Sequence, residues 1–247
     1  MDRYGLIGFP LKHSFSKDYF NNKFASEGIN AEYVNFEITS ISELKSIITD
    51  PQLKGLNVTI PYKEQVIPYL DKLSENAKLI GAVNVVKIER TKKKIKLTGF
   101  NSDIIGFKQS IEPLLKPHHR HALVLGTGGS AKAIFYGLQQ LGLSATYVSR
   151  QKTSEQILTY SELSPEVMEA HEVVVNCTPV GLWPNVDDCP AIPYPLLTGK
   201  HLLYDLLYNP DETLFMKKGE EQGAVVKNGL EMLLLQAFAG WNFWLQK

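Results

Sequence analysis

Cysteine is nearly missing from these 247 residues, Cys177 and Cys189 being the two present. Two thiols cannot build a disulfide framework or a four-thiolate zinc site, so a reducing setting and no thiolate-held metal are expected. Net charge is missing as well, because 26 Lys and Arg stand against 26 Asp and Glu. Without a positive excess, binding to nucleic acid through its phosphates is not expected. No stretch reaches the roughly 20 continuous apolar residues that span a bilayer. The apolar start Tyr4-Gly5-Leu6-Ile7 is cut short by Gly8 and Pro10, before it attains the length of an export-signal core. A cytoplasmic protein that touches neither membrane nor nucleic acid is the expectation. Internal repeats of fixed period are also lacking, and the one charge run, Arg90-Thr91-Lys92-Lys93-Lys94, reads as a solvated hairpin turn between two strand-like stretches.

What is present is an alternation of short β-rich runs with helical periodicity: Tyr4–Phe9, Lys17–Glu27, Glu32–Glu37, Ile41–Thr49, Gly55–Thr59. This order predicts an α/β fold with a mainly parallel sheet. A Pro-rich basic stretch, Pro113 to Arg120, reads as a boundary loop. A second series follows it, with strands at Ala122–Leu125, Ala145–Ser149, Val173–Asn176 and Leu202–Asp205 and a helix from about Ser130 to Leu141. Two domains are expected. The segment Gly229 to Trp241 is apolar almost all round and long enough for a buried helix that docks on one of them.

The second series opens on Leu125-Gly126-Thr127-Gly128-Gly129-Ser130-Ala131, a buried strand followed at once by GxGxxA and a helical pattern. Gly126 suits the tight turn, Gly128 lets the backbone approach a pyrophosphate, and Ala131 permits close helix–strand packing. The helix N-terminus then offers N–H groups and a positive dipole end to phosphates. The next strand ends on Ser149-Arg150-Gln151-Lys152, where an NAD site would place an acid for the ribose 2′-hydroxyl. Arg150, with Lys152 as a second charge, instead suits a 2′-phosphate, so NADP is preferred over NAD.

Three polar clusters stand out in the first half. In His13-Ser14-Phe15-Ser16 the two serines, spaced i and i+2, can bind neighbouring carboxylate or hydroxyl oxygens, although alone this reads as a helix cap. In Asn57-Val58-Thr59-Ile60-Pro61-Tyr62-Lys63, a strand would put Asn57 and Thr59 on one face and Pro61 would leave Lys63 at its mouth. A lysine there is a candidate acid or base. Asn84 in Gly81-Ala82-Val83-Asn84, with Asn101 and Asp103 beyond the next run, adds amide and carboxylate groups. Each cluster alone reads as turn chemistry; beside a nucleotide loop they point to a small polyhydroxylated substrate. Tyr19 to Lys23 also matches YxxxK, but it precedes the glycine loop by about a hundred residues, the reverse of short-chain dehydrogenase order.

In identity, order and spacing, His13–Ser16, Asn57–Lys63, Gly81–Asn84, Asn101–Asp103, Gly126–Ala131, Tyr208 and Asn228–Gln236 resemble the shikimate dehydrogenase family. The resemblance covers nearly the whole chain. It implies a substrate-binding and catalytic domain over residues 1–104 plus 230–247 and an NADP-binding Rossmann domain over 105–229. The implied reaction is the reversible NADPH-dependent reduction of 3-dehydroshikimate to shikimate, on the route to chorismate and aromatic amino acids. Lys63 and Asp103 would be the catalytic pair and also contact the substrate. Ser14 and Ser16 would hold the carboxylate, and Asn57, Thr59, Asn84, Tyr208 and Gln236 the ring and its hydroxyls. Glu75, Gly126, Thr127, Gly128, Gly129, Ser130, Ser149, Arg150, Lys152, Leu206 and Gly229 would surround the cofactor.

A quinate/shikimate dehydrogenase with relaxed NAD and NADP use is the alternative, and a monomer or homodimer is implied. Lys17 stands where the family usually has proline, Ser149-Arg150-Gln151 where it has Asn-Arg-Thr, and Thr178-Pro179-Val180-Gly181 where it has a more polar stretch. With the sequence stopping at Lys247, Trp241 and Trp244 are expected to expose apolar surface that could serve a dimer contact.

Overall fold

The computed structural model describes residues 1–11, 15–92 and 94–246. It divides into two compact units, one holding the residues from Met1 to Ser102 with those from Ala237 on, the other Asp103 to Gln236. The first contains β1 (Asp2–Gly8), α1 (Phe15–Glu27), β2 (Ala31–Glu37), α2 (Leu44–Ile47), β3 (Leu53–Val58), β4 (Lys72–Leu73), α3 (Glu75–Ile80), β5 (Val85–Arg90) and β6 (Ile95–Phe100). Among the described residues these strands form one six-stranded sheet in the order β2-β1-β3-β5-β6-β4. β1 is parallel to β2 and β3, and β4 to β6, whereas β5 runs antiparallel to β3 and β6. Thr91 N–H donates to Lys94 O at 2.9 Å and closes the β5–β6 hairpin that the basic run predicts. Lys93 lies outside the described residues.

The helix expected over Ile41–Thr49 is a 3-10 turn, Ile41–Glu43, continued by the short α2. Ser40 starts it: its side chain accepts from Ser42 N–H, and Glu43 reaches back to the Ser40 N–H in a capping box. One face of the sheet buries Ile7, Leu44, Leu53, Leu56 and Val86. The other buries Tyr4, Phe20, Phe24 and Tyr33 together with Trp241 and Trp244 from the last helix. The expectation that these tryptophans expose apolar surface is overturned, since they are 7% and 6% exposed. Trp244 stacks on Tyr4 with ring centroids 4.8 Å apart and donates from Nε1 to Val86 O at 3.1 Å. Gly55 makes the seat: a Cβ there would lie 2.4 Å from Trp244 Nε1.

The second unit contains α4 (Asp103–Ile111), β7 (His121–Leu125), α5 (Gly129–Gln140), β8 (Ser144–Ser149), β9 (Ile157–Thr159), α6 (Pro165–Ala170), β10 (Val173–Asn176), β11 (Leu202–Asp205), α7 (Leu214–Glu220), β12 (Val225–Lys227) and the first part of α8 (Leu230–Leu245). Its strands are all parallel, in the order β12-β11-β10-β7-β8-β9. Read from β7, this is the doubly wound order of a dinucleotide-binding domain, with the switch point between β7 and β10. The Pro-rich stretch near residue 117 is not the boundary. Phe107 and Ile111 of α4 are buried with Ile134 and Leu138 of α5, so the helix before that stretch already belongs to the second core. α4 also lies so close to α8 that a Cβ on Gly106 would sit 2.5 Å from Met232 O.

Candidate active site

In the first unit three segments are zipped together where β3 ends. Val58 N–H donates to Asn84 O at 2.9 Å, Asn84 N–H to Phe100 O at 3.1 Å, and Val83 N–H to Lys63 O at 2.8 Å. Asn57 is buried, with its Oδ1 accepting from Tyr33 Oη at 2.8 Å and its Nδ2 donating to Asn84 O at 3.3 Å. Asn84 Nδ2 donates to Ser102 Oγ at 2.9 Å while Ser102 N–H donates to Asn84 Oδ1 at 2.7 Å. Asn101 Nδ2 donates to Ala82 O at 3.0 Å. Fixed amides of this kind present their remaining hydrogen-bonding capacity in a defined direction, as recognition of a hydroxylated ring requires.

Thr59 falls one residue beyond β3, not within a strand as expected, because the chain turns at once: Tyr62 N–H donates back to Thr59 O at 2.9 Å. Gly8 of β1 admits the Thr59 methyl, since a Cβ there would lie 2.4 Å from it. The Tyr62 hydroxyl donates to Ile38 O at 2.6 Å and ties down the turn that carries the half-buried Lys63. Ser16, in the first turn of α1, hydrogen-bonds the Tyr33 phenol, whose pKa burial raises well above the usual value. Ser16 and Asn57 are thereby joined through Tyr33, a residue the sequence reasoning missed. Its strand neighbours Glu32 and Val34 gave no hint of that role. Ser14 and His13 lie outside the described residues. Glu75 is exposed in the first turn of α3, behind Ser74, whose hydroxyl caps that helix by accepting from Ala77 N–H.

In the second unit the glycine turn has the conformation its composition suggests. Gly126 holds φ at +104°, closed to most side chains, and its N–H donates to Val148 O at 2.8 Å. Gly128 is the N-cap of α5, and a Cβ built there meets nothing within 4 Å. The open space beside Gly128, with Thr127 and Gly128 exposed and Gly129 and Ser130 starting the helix, fits a pyrophosphate on the helix N-terminus. Leu206 and Gly229 are brought together: Gly229 N–H donates to Leu207 O at 2.8 Å, and a Cβ on Gly229 would lie 2.1 Å from Leu206 O. Burial raises the pKa of the nearby Tyr208 phenol. Gln236, on α8, donates from Nε2 to Leu233 O at 2.9 Å. Asp103 is buried as the first residue of α4.

At the end of β8, Gln151 N–H donates to Ser149 Oγ at 3.4 Å and Arg150 is exposed, while Lys152 Nζ pairs with Glu162 Oε1 at 2.5 Å. That pairing, with Thr159 N–H and Oγ1 also donating to Glu162, holds the Glu162 carboxyl down at about 2. Glu162 was missed because it lies ten residues from Lys152 and reads in sequence as surface. Among the described residues no group of three or more His, Cys, Asp or Glu is placed to hold a metal ion, and no helix is long and apolar enough to cross a membrane.

A doubly wound parallel sheet with an open glycine turn, in one chain with a second α/β unit rich in buried amides, defines the class: a two-domain, dinucleotide-dependent oxidoreductase. The profile of the shikimate dehydrogenase substrate binding domain matches residues 6–86. The shikimate dehydrogenase (NADP(+)) of Aquifex aeolicus is 38% identical over 253 residues, covering 98% of this chain and 90% of that protein. The crystal structure of the Thermus thermophilus shikimate 5-dehydrogenase in complex with NADP(H) and shikimate superposes with a TM-score of 0.84 at 28% identity, over 99% of this chain and 94% of that one. The quinate dehydrogenase of Corynebacterium glutamicum in complex with NAD gives a TM-score of 0.86 at 26% identity, over 99% and 93%. The chain belongs to the shikimate dehydrogenase family.

Proposed function

We propose that this chain catalyses the reversible NADP-dependent interconversion of shikimate and 3-dehydroshikimate, with Lys63 and Asp103 as its catalytic pair. The observation that carries the reading is full-length similarity to enzymes of that name combined with the fixed amide cluster around Asn57, Asn84 and Ser102. Ser14 and Ser16 would take the substrate carboxylate, and Asn57, Thr59, Asn84, Tyr208 and Gln236 the ring hydroxyls. Gly126 to Ser130, with Leu206 and Gly229, would hold the pyrophosphate and nicotinamide end, Ser149, Arg150 and Lys152 the adenosine 2′-phosphate, and Glu75 a further contact. NADPH, when bound, supplies the hydride to the substrate carbonyl carbon.

The protein's part is to manage the charge and the proton. Negative charge growing on the carbonyl oxygen is stabilised by the Lys63 ammonium, which then gives up its proton to that oxygen. In the oxidative direction neutral Lys63 takes the proton back, and Asp103 orients the ammonium and the hydroxyl. We place the enzyme in the cytoplasm as a monomer or homodimer. Reduction of NADP with shikimate as sole co-substrate, followed by nicotinamide absorbance, tests the reading. Activity restricted to quinate with NAD would favour the quinate dehydrogenase alternative.

Cofactor choice gives a separate test. Arg150→Ala is expected to raise the KM for NADP by about tenfold, the worth of one charge-assisted phosphate contact, with the KM for NAD unmoved. Glu162→Gln keeps a group for the Thr159 cap but releases Lys152, and should lower the KM for NADP several-fold. Equal KM changes for both cofactors would show that neither residue reads the 2′-phosphate.

A further inference from the structure

Three polar side chains lie fully inside the second unit where its central strands end. Asn176 closes β10, Asp205 closes β11 and Thr213 is the N-cap of α7, each 0% exposed. Asp205 Oδ1 accepts from Asn176 Nδ2 and from Leu207 N–H, both at 3.0 Å, and Oδ2 accepts from Thr213 Oγ1 at 2.7 Å.

Two routes lead outward from this carboxylate. Asn176 Oδ1 accepts from Thr178 N–H at 3.0 Å and Thr178 Oγ1 at 2.6 Å. Thr178 in turn backs the glycine turn, because a Cβ on Gly126 would lie 3.3 Å from its methyl. Along the other route, Leu207 accepts from Gly229 N–H and continues into Tyr208. One buried group therefore reaches the glycine turn, the Leu206–Tyr208 segment and Gly229.

We propose that ionised Asp205 is a positioning residue for the reaction, holding Thr178 against the glycine turn and fixing the Leu206–Tyr208 segment, and that it loses this hold when protonated. The inference rests on the dehydrogenase reading above. Oδ1 already faces two N–H donors, so a proton must enter on Oδ2, where it replaces the Thr213 hydroxyl as donor. The remaining bonds then run to an uncharged acceptor and weaken.

Burial raises the Asp205 pKa from 3.8 to about 6, against the opposing bonds from Thr213, Leu207 and Asn176. Since the folded-state value lies above the unfolded one, the group favours folding below that window and loses the contribution as pH rises through it. Stability therefore gives no reason to keep an ionised carboxylate here. Beside it stands the Tyr194 phenol, which donates to Pro190 O and lies against half-buried Cys189. On α7, Lys217 pairs with Glu212 at 3.4 Å and Lys218 lies 5.1 Å from the Tyr194 ring centre; on β12, Lys227 pairs with Glu231 at 2.6 Å.

The test combines carbon-13 carboxyl titration of Asp205 in the protein without cofactor with the pH profile of kcat/KM. The wild-type carboxyl should titrate at about 6, coincident with an acid limb of kcat/KM. Thr213→Val, which removes one donor, should move both to higher pH together, and Thr213→Ser, which keeps the hydroxyl, should restore them. Asp205→Asn should abolish that limb and lower the plateau of kcat/KM by roughly tenfold to a hundredfold, as loss of a charge-assisted hydrogen bond allows. Activity with an acid limb that stays in place in Thr213→Val overturns the inference and assigns the limb to another group, such as the cofactor phosphate. No shikimate-dependent NADP reduction by the wild-type protein at any pH would fail the dehydrogenase reading itself, and this role with it.

Discussion

Replacing Lys63 by Ala should lower kcat by about 10²–10⁴-fold, the usual contribution of one positioned acid–base group, while the KM values for shikimate and NADP change far less. The split follows from what the side chain is asked to do. Charge on the carbonyl oxygen exists only as the bond to carbon forms, so an ammonium that meets it acts on the transition state and hardly on binding. The substitution is conservative for the fold, because the turn is held by backbone and by Tyr62: Val83 N–H donates to Lys63 O, and the Tyr62 hydroxyl to Ile38 O. An unchanged melting temperature should accompany the loss. Lys63→Arg should not rescue, since a guanidinium does not give up its proton near neutral pH. Turnover of Lys63→Ala within a few-fold of wild type would remove Lys63 from the chemistry.

The largest stability effect should come from Trp244. Its ring is buried against Tyr4, Phe20 and Tyr33, and its Nε1 donates to Val86 O. Trp244→Ala removes that packing, leaves a large cavity and takes away a hydrogen-bond donor, for a loss of about 3–5 kcal/mol. A domain with about 5–15 kcal/mol in hand loses much of its stability in that way. Trp244→Phe refills most of the volume and should recover more than half of the loss. Urea unfolding monitored by circular dichroism checks both, and a Trp244→Ala midpoint equal to wild type would show that the aromatic cluster is not cooperative with the sheet. Gly55→Ala should reproduce the effect from the other side, because the added Cβ occupies the place of the indole edge.

Much of the fold was legible because β10 and β11 of the second unit are short, mainly apolar runs closed by a polar residue. Val173–Asn176 and Leu202–Asp205 begin and end where the sequence pattern puts them. The glycine turn was legible for a similar reason, since Gly126 adopts a backbone conformation that few other residues tolerate. The boundary at the Pro-rich stretch failed because proline marks a loop and says nothing about which core the preceding helix joins; α4 is assigned by Phe107 and Ile111, whose burial is a tertiary fact. Trp241 and Trp244 were misplaced for the same kind of reason, as nearness to the end of the sequence does not set exposure. Tyr33 and Glu162 act through partners 24 and ten residues away, distances at which no local pattern carries information. Asp205 and Asn176 were visible as strand-closing polar residues, but their convergence on Thr213 and Thr178 needed the structure.

The first unit is completed by chain that is made after the whole of the second. Its aromatic core takes Ala237, Trp241 and Trp244 from the far side of a second unit of 134 residues, Asp103 to Gln236. During synthesis the second unit can therefore close on its own residues while the first, though translated earlier, waits with Tyr4, Phe20 and Tyr33 unshielded. Order of assembly thus runs opposite to order of translation, and a chain released after Gln236 would carry a closed second unit attached to an unfinished first unit that presents its aromatic face to chaperones.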